Sequence, residues 1–141
     1  TSAREDLRRS ADLGLARALG WGQLSLGLSA SALDSDVANA RSWSVSGVVR
    51  FEPARKLGPL AFAVSGGVSR TVYPDYQILF FAPDAGRQDE MVYAEIGVWA
   101  PEMGYAGFTP ELKLQALSVE SNVSRFTRSE MSVAVGLRST F

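Results

Sequence analysis

The side chains able to do chemistry are few and scattered. The 141-residue chain has no histidine and no cysteine, which removes the commonest general base, the commonest metal ligand and every thiol nucleophile. A Ser-His-Asp triad is excluded. Asp34-Ser35-Asp36 has the acidic look of a calcium loop but lacks its glycine and distal glutamate, so it reads as a solvated turn. Arg87 and Asp89 stand two residues apart, a spacing that suits pairing at the rim of a strand. Asn122-Val123-Ser124 matches a glycosylation acceptor and reads here as a turn. Glu95, Lys113, Arg128 and Glu130 are candidates for a polar path or for mutually neutralising ion pairs. No paired-carboxylate motif stands out, so neither an enzyme nor a cofactor is expected. With 14 basic against 15 acidic residues, the chain lacks the basic face that nucleic acid requires.

The elements that carry these residues follow from one pattern. Leu24, Leu26, Leu28, Ala30 and Ala32 alternate with Gln23, Ser25, Gly27, Ser29 and Ser31. Successive side chains of a strand point to opposite faces, so this is a strand with one apolar face. The alternation returns at Val45 and Val49 against Ser44 and Ser46, at Val64 and Val68 against Ser65 and Ser69, at Val92–Val98 around Glu95, and at Val133 and Val135 against Ser132 and Gly136. The pattern predicts strands near 4–19, 22–33, 41–52, 59–72, 88–100, 108–120 and 125–141, all in one domain spanning 1–141. Five of the six prolines fall between them, and Pro110 near a strand start.

Strands of this length exceed those usual in soluble sheets and suit tilted strands crossing a bilayer. The expected fold is therefore all-β: an antiparallel up-and-down transmembrane β-barrel, here the C-terminal part of a larger barrel. Leu24, Leu26, Leu28, Val45, Val49, Val64, Val133 and Val135 are expected to face lipid. Ser25, Ser29, Ser44, Ser46, Ser65, Glu95, Lys113 and Glu130 are expected to face the lumen. Aromatic residues fall into two groups, Trp21, Phe51, Trp99, Tyr105 and Phe108 at one end and Trp43, Tyr73, Tyr76, Phe80, Phe81 and Phe126 at the other, as interfacial girdles would. Longer connections are expected at the second end. The inward wall is rich in small residues, Gly27, Ala61, Ala63 and Gly67 among them, which predicts a wide barrel able to hold water, a plug or a passing chain. A soluble β-barrel or sandwich binding an apolar ligand is the alternative of another class. The chain opens at Thr1 without a basic-then-apolar leader, as a processed or excised segment would.

One family resemblance adds to this reading. Arg87-Gln88-Asp89 opens one strand, Gly107-Phe108-Thr109-Pro110 opens the next, Ser121-Asn122 follows at a turn, and the chain ends in Phe141. In this order and spacing, Arg87, Asp89, Gly107, Pro110, Ser121 and Asn122 resemble the C-terminal barrel of the surface lipoprotein assembly modifier family of Gram-negative outer membranes. The resemblance covers about residues 60–141 and includes the Tyr73-Pro74-Asp75-Tyr76 segment. It implies a bacterial outer-membrane location and help in translocation or surface display of lipoproteins or related secreted proteins. The implied partners are outer-membrane lipid, a protein client such as a surface lipoprotein, and the assembly machinery, which would read Phe141 as a signal. Members carry a helical-repeat domain before the barrel, and this sequence has none. A passive porin-like or structural barrel is the alternative within the membrane.

Overall fold

The alternating segments fold as their period demands. A computed structural model describes residues 5–139 and contains seven strands: β1 (Asp6–Leu19), β2 (Gly22–Ser35), β3 (Ser42–Pro53), β4 (Ala61–Tyr73), β5 (Arg87–Trp99), β6 (Phe108–Ser121) and β7 (Arg128–Ser139). They form a single sheet in sequence order, every neighbouring pair antiparallel. Among the described residues there is no α-helix, only three short 3-10 turns at Ala38–Ala40, Pro101–Met103 and Ser124–Phe126. The sheet is open, with β1 and β7 at its edges.

Two adjacent rows across the strands show how the faces are divided. One row runs Leu15, Leu26, Val49, Gly66, Ala94, Ala116 and Met131, apolar from edge to edge. The next runs Ala16, Ser25, Arg50, Ser65, Glu95, Gln115 and Ser132. All eight residues expected on the lipid face share the first face, and all eight expected on the lumen face share the second. Ser31 and Ser44 hydrogen-bond across the second face at 2.8 Å.

The sheet curls over its polar face. Arg138 of β7 comes within 3.6 Å of Glu52 of β3, although four strand spacings of about 4.8 Å would separate these strands by roughly 19 Å in a flat sheet. The guanidinium of Arg138 also lies over Trp99, two strands away, at 3.9 Å from the ring centroid. The polar face is therefore concave and the apolar face convex. The apolar band is bounded at the Tyr73 end of the sheet by Arg70 and Glu90, which pair at 3.8 Å.

Three expectations need correction in detail. The last strand begins at Arg128, because residues 124–126 wind into a 3-10 turn before it. Connection length does not separate the two ends cleanly. Residues 20–21, 54–60 and 100–107 lie at one end and 36–41, 74–86 and 122–127 at the other, and only 74–86 is markedly long. The aromatic girdles are incomplete: Trp99 and Tyr76 are buried, 8 % and 7 % exposed, while Trp43 and Phe81 stand outside. Trp99 turns inward because it shares the parity of Glu95 and Gly97. Phe141, the candidate assembly signal, lies outside the described residues.

Candidate functional site

The concave face carries polar chemistry at both ends and a small-residue floor between them. At the end formed by the 74–86 connection, β5 opens with Arg87, whose guanidinium lies 3.4 Å from the Phe126 ring centroid and 4.4 Å from that of Tyr73. Tyr76 meets Phe126 edge to face at 5.7 Å. The Arg87 Nε donates to both carboxylate oxygens of Asp89 at 3.0 Å, and its Nη2 forms an ion pair with the same group. Both side chains are largely buried, 15 % and 13 % exposed. Such a fork combines directed hydrogen bonds with stacking that lysine cannot reproduce.

Ser121 and Asn122 lock this knot from the neighbouring strand. Ser121 pairs with Asp89 in the sheet register, and its hydroxyl accepts from the Val123 N–H at 3.2 Å. The Asn122 amide donates to the Gly86 carbonyl at 2.8 Å and accepts from the Gln88 N–H at 2.8 Å. Four of the six motif residues thus converge on one structure. Gly107 and Pro110 lie at the opposite end, where Gly107 takes φ 81° and Pro110 sits inside β6 opposite Leu137.

Gly86 is required where it stands. Its φ is 68°, and a Cβ there would collide with the Tyr73 carbonyl oxygen. Gly86→Ala is expected to cost about 1–3 kcal/mol through the left-handed backbone alone, read as a shift in the urea unfolding midpoint. Gly58→Ala, also at positive φ but with open space around the missing Cβ, is expected to cost less.

At the opposite end, Glu52, Trp99 and Arg138 meet across the concave face, with Arg50 3.4 Å from Glu52. Lys113 pairs with Glu111 at 3.5 Å and Arg128 with Glu130 at 2.7 Å, each along its own strand. These charges are mutually compensated, as polar groups on a curled face must be. Between the two ends, Tyr93 lies against Gly67, where an added Cβ would meet its ring at 2.5 Å and the Gly47 carbonyl at 2.8 Å. The smallness of this floor therefore makes room for Tyr93. Ser25, Arg50, Ser65 and Tyr93 border a shallow hollow beside it.

The Asp34–Asp36 segment is a turn only in part: Asp34 and Ser35 end β2, paired with Leu7 and Asp6, and Asp36 alone lies in the connection. Asp34 lies 3.4 Å from Arg41, and the Asp36 carboxylate accepts from the Glu5 N–H at 3.3 Å. Among the described residues no group of acidic side chains is arranged to hold a metal ion. The aromatic cage around Arg87 depends on how the connections carrying Tyr76 and Phe126 fold back onto the Tyr73–Arg87 pair, and the contact of Arg138 with Glu52 on curvature; neither is visible in a strand pattern. No protein family, curated protein or solved structure matches the chain.

Proposed function

We propose that the chain forms the wall of a bacterial outer-membrane β-barrel that assists translocation or surface display of lipoproteins or related secreted proteins. The observation that carries the membrane part is the predominantly apolar convex face, with one row, Leu15 to Met131, apolar across all seven strands and the charges, Arg9, Arg17, Arg70 and Glu90 among them, outside that row; a polar concave face backs it. Leu28, Val45, Val68, Val92 and Val133 stand between 45 % and 68 % exposed on that face, and a contiguous exposed apolar face marks a surface that meets protein or membrane. Lipid is the solvent that suits it once the edges of β1 and β7 are paired, since the inner strands already satisfy their backbone groups within the sheet. The export part rests on the resemblance, and the convergence of Arg87, Asp89, Ser121 and Asn122 supports reading those residues as one motif.

A second reading, a passive or structural barrel, is favoured by the Glu52–Arg138 contact, which fills the concave face at one end with side chains. The two readings separate in one experiment. Cells producing the chain together with a lipoprotein client are treated with external protease, and the purified chain is tested for conductance in planar bilayers. Export predicts client cleavage that depends on the chain; a passive barrel predicts conductance with no change in client exposure. Failure of the purified chain to associate with phosphatidylethanolamine–phosphatidylglycerol vesicles against alkaline extraction removes both.

A further inference from the structure

Strands β1–β3 and β5–β7 are two copies of one three-strand unit. Asp6 pairs with Ser35 as Asp89 pairs with Ser121. Leu33 pairs with Ser42 as Val119 pairs with Arg128. The Ser35 hydroxyl accepts from the Val37 N–H at 3.1 Å as that of Ser121 does from Val123 at 3.2 Å. Asp36 and Glu5 exchange two hydrogen bonds, the Asp36 N–H to the Glu5 carbonyl and the Glu5 N–H to the Asp36 carboxylate, and Asn122 and Gln88 exchange the same two, the Gln88 N–H donating to the Asn122 side-chain oxygen. The 3-10 turn that follows closes on Val37 in one copy and on Val123 in the other.

Strand β4 joins the copies, pairing with β3 on one side and β5 on the other. The free edge of β1 is thus the counterpart of the β5 edge that holds β4, and the free edge of β7 is the counterpart of the β3 edge that holds β4. Both edge strands also run in the same sense, because an odd number of antiparallel strands lies between and including them. Direct pairing of β7 with β1, in one chain or between copies sharing an axis, would be parallel. Each edge instead calls for a strand of opposite sense.

We propose that the free edges of β1 and β7 are acceptor sites for an antiparallel strand of the β4 pattern, apolar outward and small inward. The repeat also sets the register. Carrying the pairing of Val64 with Ile96 and Ser65 with Glu95 onto β1 puts Val64 opposite Leu13 and Ser65 opposite Asp12. Carrying the pairing of Val64 with Phe51 onto β7 puts Val64 opposite Leu137. Val64 meets Leu13 at one edge and Leu137 at the other on the convex face, while further along β1 Val68 falls opposite Arg9 and Arg70 opposite Leu7, and a slip of one residue would invert the faces. Leu13 and Leu137 are 58 % and 70 % exposed, whereas Ile96, already flanked on both sides, is 44 % exposed.

The site stands on the repeat and does not depend on the membrane reading. The test uses the whole chain in detergent micelles and a synthetic peptide of residues 59–86. The chain has no cysteine of its own, so disulfide formation reports only introduced pairs. The peptide carries Ser65→Cys or Val64→Cys, and the chain carries Asp12→Cys, Leu13→Cys or Leu137→Cys, with Ser10→Cys and Gly14→Cys as displaced controls for the first peptide and Ala11→Cys and Leu15→Cys for the second, each on the same face as its matched position. Neighbouring positions alternate between wide and close pairs in an antiparallel ladder, so one of the two β1 couples presents the close geometry. The faster of the Ser65→Cys/Asp12→Cys and Val64→Cys/Leu13→Cys couples is expected to cross-link at least ten-fold faster than the displaced controls, and the Val64→Cys/Leu137→Cys couple to exceed a scrambled peptide. Equal rates at matched and displaced positions, or equal rates with the scrambled peptide, overturn the assignment. Where a β1 variant fails to fold by circular dichroism, the β7 couple decides the outcome.

Discussion

Leu28→Arg is expected to destabilise the chain in phospholipid vesicles by about 2–4 kcal/mol, the cost that the proposed membrane placement assigns to a cation on a lipid-facing position near the bilayer midplane. Ser29→Arg, one residue further along β2, is expected to change stability by less than about 1 kcal/mol, because it lies on the polar concave face, which the same proposal places in water. The two positions share a strand, a depth and a backbone environment. Leu28 lies between Leu13 and Gly47, and Ser29 between Asp12 and Ser46. The Asp12 carboxylate is placed to receive the arginine at position 29 and has no counterpart beside position 28. Urea unfolding of vesicle-reconstituted protein, followed by tryptophan emission, reads the difference directly. Equal losses at both positions would remove the assignment of the convex face to lipid. The same pair in detergent micelles is expected to show a smaller gap, since micelles deform around a charge more readily than a bilayer does.

The second large effect belongs to the Arg87 knot. Arg87→Ala removes one partner of a largely buried ion pair and leaves Asp89 without the guanidinium that neutralises it, a change that costs about 3–5 kcal/mol in buried pairs. Three aromatic rings, those of Tyr73, Tyr76 and Phe126, lose the cation they surround. Arg87→Lys keeps the charge but neither the fork nor the flat stacking surface, and is expected to recover less than half of the loss. The double replacement Arg87→Ala with Asp89→Ala is expected to be less damaging than the sum of the singles, because the stranded carboxylate is removed as well. Limited proteolysis within 74–86 should accelerate in Arg87→Ala, since the knot ties Tyr73 and Tyr76 of that connection to the sheet. A midpoint shift for Arg87→Ala equivalent to less than about 0.5 kcal/mol, within the range of ordinary surface changes, would show that the knot is incidental.

Period-2 alternation was enough to read the strands and the division of faces, because side-chain direction along a strand depends only on parity. Leu26 and Ser25 fall on opposite faces whatever the rest of the sheet does. Level along the strand was a poorer guide to environment. Trp99 shares its level with Trp21 and Phe51, yet its parity with Glu95 turns it toward Arg138. Contacts between strands that are not neighbours, such as Glu52 with Arg138, depend on curvature, which no local pattern encodes. The repeat was hidden for a different reason. Its two copies share hydrogen bonds more than residues: Asp36 in one copy does the work of Asn122 in the other, and Arg41 that of Thr127, each contacting the carbonyl of the turn serine. The connection between the first two strands of each unit also differs in length, residues 20–21 against 100–107, which offsets the two copies. Of the candidate site, Arg87 with Asp89 and Ser121 with Asn122 were visible as short motifs, but their meeting point required the register of β5 on β6.

The most direct measurement is a nitroxide scan of β2 in reconstituted vesicles, one label at a time from position 24 to position 32, with collision rates for molecular oxygen and for a neutral nickel chelate. Oxygen partitions into hydrocarbon and the chelate into water. An apolar convex face in lipid and a polar concave face in water predict oxygen maxima at 24, 26, 28, 30 and 32 and chelate maxima at 25, 27, 29 and 31, out of phase with a period of two. Chelate accessibility equal on both sets of positions, or oxygen maxima on the serine-bearing set, would contradict the membrane assignment.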